Sequence, residues 1–318
     1  MAVKLKGLRI LVTGGAGFMG SHLVERLMKE NEVVVYDDYS NAVVEEEWEG
    51  VEYVRGDVLD LSKLEESLRG VDLVFHFAAS GSVKESSEDP LGTFRRNVVG
   101  TLNVLEAARR NDVGRIVFAS SSTVYGEAEV IPTPEDAPLR PISNYGASKA
   151  ACEMYLRSYS STYGIKAIVL RYANVFGPRS NHGVVHDFCL KLTRDPTRLQ
   201  ILGDGKQRKS YLYIDDAIDA TLCSLSSSKD FDVFNVGSEE QVTVDEIARM
   251  VSSEMGLNPV FEYTGGRRGW PGDVTEMLLD IRKIKSLGWA PKVSIREGIR
   301  RYVRWFKSAY GSTSCGRG

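Results

Sequence analysis

Tyr145 and Lys149 stand four residues apart in a stretch of helical period, Asn144 to Tyr163, so both side chains leave one helix face a single turn apart. An ammonium beside a phenol favours the phenolate and draws its pKa down from ~10 toward the range useful for general acid and base work. The run Ala119-Ser120-Ser121-Ser122 closes a block of strand character and can turn a hydroxyl into the same cleft. Tyr-x-x-x-Lys alone is a common exposed helix face; the serines make it a candidate proton-transfer site.

Such a pair is most useful beside a hydride carrier, and the N-terminal residues offer a place for one. Gly14-Gly15-Ala16-Gly17-Phe18-Met19-Gly20 follows an apolar block, Leu8 to Thr13, and opens a helical stretch, Gly17 to Lys29. The early glycines let backbone amides approach a pyrophosphate, and Gly20 lets helix and strand pack closely. The next apolar block ends in Asp37, placed to accept hydrogen bonds from ribose hydroxyls and to repel a 2′-phosphate. Asp38 and Glu45 to Glu47 add to that bias, so the cofactor predicted is NAD rather than NADP. Asp57 either reaches an adenine amino group or is a turn aspartate. A P-loop is excluded, because Gly205-Lys206 is followed by Gln207 and not by Ser or Thr.

These residues need a scaffold, and the rest of the chain predicts one. Apolar blocks at Leu8–Thr13, Glu32–Tyr36, Val51–Arg55, Leu73–Phe77, Arg115–Ala119 and Ala167–Leu170 suit strands buried on both faces of a parallel sheet. Helical stretches alternate with them at Gly17–Lys29, Leu61–Leu68, Pro90–Arg110 and Asn144–Tyr163. The fold expected is α/β: a doubly wound parallel sheet of Rossmann type over residues 1–177, with ligands at the carboxyl edge. A smaller C-terminal α/β substrate lobe is expected over 178–310, with crossings back to the sheet allowed, and a flexible tail over 311–318. In that second part helices are expected at Asn181–Leu192, Asp215–Leu225, Thr243–Met255 and Ser294–Lys307. Short strands are expected near Leu199–Leu202, Tyr211–Ile214, Val233–Val236 and Val260–Tyr263.

Composition narrows the partners. With 40 Lys and Arg against 43 Asp and Glu, the net charge of −3 offers no global field for nucleic acid or anionic lipid. No segment reaches the ~20 apolar residues of a membrane span, and the N-terminus lacks a signal-peptide pattern. Cys152, Cys189, Cys223 and Cys315 form no CxxC pair, which suits a reducing cytoplasm. His182 and His186 have the helical spacing of metal ligands but no third partner, so no metal is expected. His76, ending an apolar block, reads as core.

Several of these stretches together resemble a known family. They are Thr13 to Gly20, His76-Phe77-Ala78-Ala79, Asn97-Val98-Val99-Gly100-Thr101, Ser121-Ser122-Thr123-Val124-Tyr125-Gly126, Tyr145 to Lys149, and Arg171 to Pro178. In order and type they resemble the extended short-chain dehydrogenase/reductases, and within them the nucleotide-sugar epimerases typified by UDP-glucose 4-epimerase, from Leu8 to about Asp273. The resemblance implies that Tyr145 takes the proton from a sugar 4-hydroxyl, that Lys149 holds the nicotinamide ribose, and that Ser121, or less directly Ser122, bonds the reacting oxygen. It implies a dinucleotide lined by Gly14, Gly17, Phe18, Met19, Gly20, Asp37, Asp38, Ser40, Asp57, Val58, Phe77, Ala78, Ala79 and Asn97, with Tyr172 and Val175 by the nicotinamide. Asn174 would hold the sugar diphosphate, Tyr211 would stack on a uracil, and Gln200 and Leu202 would flank it. Lys209 stands where the family carries a clamping arginine. Near Asp273, Trp270 replaces a second one, for which Arg268 or Arg267 would substitute.

The same resemblance separates reactions. Family dehydratases carry an Asp-Glu pair where Ser122 and Thr123 stand, and family decarboxylases a glutamate at Thr123. Neither residue here protonates a leaving hydroxyl at neutral pH. Reversible 4-epimerisation of a UDP-hexose or its N-acetyl form, through a transient 4-keto sugar, is the implied activity. The other readings are a reductase of a diffusible ketone and a silent NAD-binding sensor. A family homodimer would form through Pro90–Arg110 and Asn144–Tyr163, whose apolar stripes equally suit the core.

Overall fold

A computed structural model describes residues 5–44, 46–270 and 272–311. The first half alternates β1 (Arg9–Thr13), α1 (Phe18–Leu27), β2 (Glu32–Asp37), β3 (Val51–Arg55), α2 (Leu61–Ser67), β4 (Leu73–His76), α3 (Val83–Glu88), α4 (Pro90–Phe94), α5 (Gly100–Arg110), β5 (Arg115–Ser121), α6 (Asn144–Tyr163) and β6 (Lys166–Tyr172). The second half holds β7 (Asn174–Phe176), α7 (Val184–Arg194), β8 (Arg198–Ile201), β9 (Arg208–Tyr213), α8 (Ile214–Ser224), β10 (Phe231–Val236), β11 (Gln241–Thr243), α9 (Val244–Met255), β12 (Val260–Tyr263), β13 (Glu276–Met277), α10 (Arg282–Lys285) and α11 (Ile295–Gly311).

Seven strands form a parallel sheet in the order β10-β6-β5-β4-β1-β2-β3. Successive residues of one strand feed opposite cores. Ile10, Val12, Val33, Val35 and Phe75 face one, and Leu11, Val34, Tyr36, Val74 and Phe118 the other. That is why the blocks inside the sheet are apolar at consecutive positions; β3, expected to be buried on both faces, is instead the edge strand, with Glu52 and Arg55 exposed and its other residues half-buried. The chain winds outward from β1 in one direction and from β4 in the other, leaving a crevice beyond Thr13 and His76 at the switch point.

Two expectations change. Val233–Val236, expected among the lobe's strands, belongs to β10 at the edge of the main sheet, where Phe234 pairs with Leu170 of β6. Residues beyond Gly177 therefore serve both bodies. The single helix expected over Pro90–Arg110 is broken into α4, a π turn at Arg95–Val99, and α5. The extra residue in that turn carries Asn97 inward, where Nδ2 donates to Ser80 O (3.1 Å) and Ser148 Oγ (2.9 Å) and Oδ1 accepts from Ser80 N (2.8 Å).

Asn174 in β7 pairs with Tyr211 in β9, while β11 and β13 flank β9 near Lys209. This small mixed sheet sits beyond the carboxyl end of β6. β8 and β12 form a separate parallel pair. Gly311 closes α11, and the rest of the expected tail, with Cys315, lies outside the described residues.

Candidate active site

At the end of β1 the Thr13 hydroxyl accepts Phe77 N and Ala78 N, each at 3.2 Å, and lies 2.7 Å from His76 Nδ1. The turn that follows is closed on backbone. Gly14 has φ +70°, and a Cβ there would lie 2.7 Å from Ala78 N. A Cβ at Gly20 would lie 2.0 Å from Gly14 O. Gly17 starts α1 without a side-chain cap, so first-turn amides of that helix remain for an anion. Phe18 and Met19 on that turn are half-buried.

Asp37 is 7% exposed; Oδ2 accepts Ala16 N (2.9 Å) and Oδ1 accepts Tyr39 N (2.8 Å). Burial raises its pKa, and the two backbone hydrogen bonds work against that rise. Each carboxylate oxygen keeps a lone pair for a hydroxyl donor. A turn that admits only backbone, followed by a buried carboxylate with spare acceptors, fits the pyrophosphate and ribose diol of NAD. Exposed Asp38 binds Ser40 N and Oγ, at 2.8 and 2.7 Å. Asp57 accepts Leu59 N (2.9 Å), as a turn aspartate does, and is exposed. Val58 is buried, and Phe77, Ala78 and Ala79 are half-buried beside the turn.

Helix α6 is capped by Ser143, whose hydroxyl accepts Gly146 N, and Tyr145 N is held by Ser86 Oγ (3.1 Å). Lys149 is 3% exposed, and its Nζ donates to Ala119 O at 2.7 Å and lies 4.7 Å from the Phe118 ring centroid. Ser121 Oγ accepts Thr123 N (3.2 Å) and Thr123 Oγ1 (3.0 Å) and pairs with the Tyr145 hydroxyl. Ser122 is buried. Ser121, Tyr145 and Lys149 thus converge from β5 and α6.

The electrostatics differ from the expectation drawn from spacing. Burial pushes the Tyr145 phenol up to about 12, with only the Ser121 hydrogen bond pulling the other way. Burial also lowers Lys149 to about 8, opposed by Cys152 and Glu153. The ammonium turns to the Ala119 carbonyl, and its Nζ is 5.9 Å from the Tyr145 ring centroid. Desolvation therefore outweighs any pull of the lysine on the phenol.

Farther along the cleft the match is looser. Tyr172 is buried, edge-on to Phe77, with its hydroxyl 2.6 Å from Thr221 Oγ1, and Val175 is half-buried. Exposed Asn174 donates to Ser210 O (3.2 Å). Tyr211, expected to stack on a base, is 7% exposed and packs edge-on to Phe176, so its ring belongs to the core. Lys209 and Asp273, read as separate substrate contacts, pair with each other at 2.5 Å, and Asp273 Oδ2 also accepts Gly269 N (3.1 Å). The Trp270 ring centroid lies 5.4 Å from Lys209 Nζ. Arg268 is exposed and bonded to Glu127 at 2.5 Å. Gln200 and Leu202 are exposed. Sequence reading missed Thr123 as a partner of Ser121, and Glu127, which lies 141 residues from Arg268 with no local signal joining them.

His186 Nδ1 is 2.7 Å from Tyr302 Oη, a core contact, and His182 is exposed. Among the described residues no group of three His, Cys, Asp or Glu side chains converges.

A doubly wound sheet with a backbone-lined turn at its switch point, a buried carboxylate after β2 and a Ser-Tyr-Lys set opposite defines a dinucleotide-dependent enzyme. Residues 10–237 match the NAD dependent epimerase/dehydratase family, and the chain belongs to it. It is 36% identical to the UDP-glucose 4-epimerase of Mycolicibacterium smegmatis, over 95% of this chain and 99% of that one. It superposes with a TM-score of 0.88 on the Thermus thermophilus UDP-glucose 4-epimerase solved with NAD, at 40% identity, covering 95% and 100% of the two chains. The Thermotoga maritima UDP-glucose 4-epimerase solved with UDP-glucose gives 0.89, at 36% identity over 95% and 99%.

Proposed function

We propose that this chain is an NAD-dependent isomerase that inverts C4 of a UDP-hexose, UDP-glucose to UDP-galactose or their N-acetyl forms, and leaves NAD unchanged after each cycle. NAD, when bound, supplies the acceptor and donor of hydride. Gly14 to Gly20 would hold its pyrophosphate, Asp37 its adenosine ribose and Lys149 its nicotinamide ribose. Tyr145 takes the proton from the 4-hydroxyl and returns it after the 4-keto sugar has turned its other face. Ser121 steadies the reacting oxygen. The half-buried Tyr145, its phenol pushed up to about 12, returns a proton well, and the Ser121 hydrogen bond is what favours its deprotonation.

The observation that carries this reading is the hydrogen-bonded set Ser121, Tyr145 and Thr123, with no carboxylate at positions 122 and 123. A hydroxyl at 123 cannot supply the proton that elimination of water requires at neutral pH, whereas moving a hydride off C4 and a proton off its oxygen, and returning both, needs no acid or base beyond Tyr145. Incubation with a panel of UDP-, dTDP- and GDP-hexoses, followed by product separation, tests it. UDP-glucose and UDP-galactose, or their N-acetyl forms, should reach one equilibrium from either side without net consumption of NAD. A panel with no interconverting pair sinks the reading.

We also infer that a second copy packs on α4 and α6, where Leu91 (74% exposed), Phe94, Met154 and Tyr155 present apolar side chains. Sedimentation should then give a dimer, and Leu91→Glu a monomer. The free thiols of Cys152, Cys189 and Cys223 suit a reducing cytoplasm.

A further inference from the structure

Helix α6 carries a third polar residue on the stripe of Tyr145 and Lys149. Glu153, two turns beyond Tyr145, is wholly buried. Ser120 Oγ donates to its Oε1 (2.5 Å), and Arg171 Nε donates to both oxygens (3.0 and 3.1 Å) and Nη2 to Oε2 (2.6 Å). Arg171, from β6, is 4% exposed and uses Nη1 on Tyr125 Oη (2.7 Å) and Glu135 O (2.8 Å). Tyr125 Oη in turn donates to Asn235 Oδ1 on β10 (2.7 Å). One carboxylate therefore ties α6 to β5 and β6, and through them to β10.

A buried ion pair contributes little net stability compared with apolar packing of the same volume, so stability alone does not account for its placement behind the site. Its neighbours do. Ser120 lies between Ala119, whose carbonyl holds Lys149, and Ser121, which pairs with Tyr145. A slide of β5 along α6 would change both contacts together. Around Lys149 stand Tyr145, Cys152 and Glu153 on its own helix, Phe118 and Ala119 O on β5, and His76 on β4. Burial keeps Cys152 a thiol and His76 neutral, so among these Glu153 supplies the negative charge.

We propose that Glu153 is a positioning residue for the proton transfer: by gripping Ser120 and Arg171 it sets the register of β5 against α6, and its carboxylate is the fixed anion that Lys149 faces. This rests on the epimerase reading for its reaction; the grip of Glu153 on Ser120 and Arg171 is seen in the geometry, and its charge works against the lowering of Lys149.

The test compares Glu153→Gln and Ser120→Ala with wild type, reading kcat and KM against pH, and the Lys149 Nζ titration by nitrogen-15 NMR. Glu153→Gln should lower kcat by about tenfold with KM changed less than about threefold, and move the Lys149 midpoint and the alkaline limb down by about one pH unit. Ser120→Ala keeps the charge and the ion pair; it should lower kcat about threefold and leave the Lys149 midpoint in place. A folded Glu153→Gln protein with wild-type kcat and an unmoved midpoint overturns the proposal. Should that variant not fold, wild-type kcat in Ser120→Ala overturns it instead. If no sugar nucleotide is interconverted yet the Lys149 midpoint still falls in Glu153→Gln, the electrostatic coupling stands and the epimerase reading is what fails.

Discussion

The glycine turn and the loop around Lys209 are both expected to hold phosphate oxygens, and they are built on different physics. The turn uses backbone: no side chain fits at Gly14 or Gly20, and helix α1 begins without a cap that would compete for its amides. The loop uses charged side chains, and these pair with one another, Lys209 with Asp273 and Arg268 with Glu127. Backbone donors are fixed by the fold and have no counter-ion to surrender. A charged side chain must leave an existing partner before it can take a ligand, so its contribution depends on what it gives up. One end of the cleft is therefore set by shape, and the other by competition between ion pairs.

The largest effect that would break this contrast lies between the two ends, at the reacting hydroxyl. Tyr145→Phe should lower kcat by roughly 10³ while NAD affinity stays within about threefold, measured by single turnover and cofactor titration. A variant that turns over near wild type would leave the shape-built end without its chemistry. Next, Gly20→Val should weaken NAD binding by about 100-fold or more by calorimetry, because its Cβ would sit 2.0 Å from Gly14 O and force the turn off the helix. Unchanged affinity would mean that the turn is not built by close backbone contact.

The pH dependence sharpens the comparison. Lys149, lowered to about 8, loses its charge as pH rises through that value, so kcat should fall by about tenfold per unit above it. Stability should move the other way. Between about pH 8 and the ordinary lysine value the unfolded chain binds more protons than the folded one, so the burial penalty of this group is full below 8 and fades as pH rises across that window. Denaturant midpoints and rates taken on the same samples would separate the two. The smallest effect belongs to the loop. Asp273→Asn releases Lys209 from its counter-ion and should tighten UDP binding by about fivefold, with steeper salt dependence. Weaker binding would mean that Asp273 aims the lysine rather than occupying it.

What could be read from the sequence follows the same division. The blocks of β1 to β6, the turn from Gly14 to Gly20, Asp37 and the Tyr145–Lys149 pair were legible because each is a local pattern with one geometric meaning. Val51–Arg55 and Asn144–Tyr163 match β3 and α6 to the residue. The π turn at Asn97 was not, since one extra residue in a helix leaves no mark in apolar periodicity. Nor was the burial of Tyr211, because a strand aromatic gives no sign of which neighbour covers it. Glu153 and Arg171 are 18 residues apart and read as ordinary charges until β5, β6 and α6 are packed together.

The sequence by itself determined the alternation of strands and helices in the first half and the class of cofactor, and it singled out the residues proposed for proton transfer, because these rest on short-range spacing and on the special backbone freedom of glycine. Only the tertiary structure decided that β10 returns to the main sheet, that Lys209 is already paired, and that burial raises the Tyr145 phenol instead of lowering it. Desolvation and ion pairing depend on which atoms distant segments bring together, and that is a property of packing.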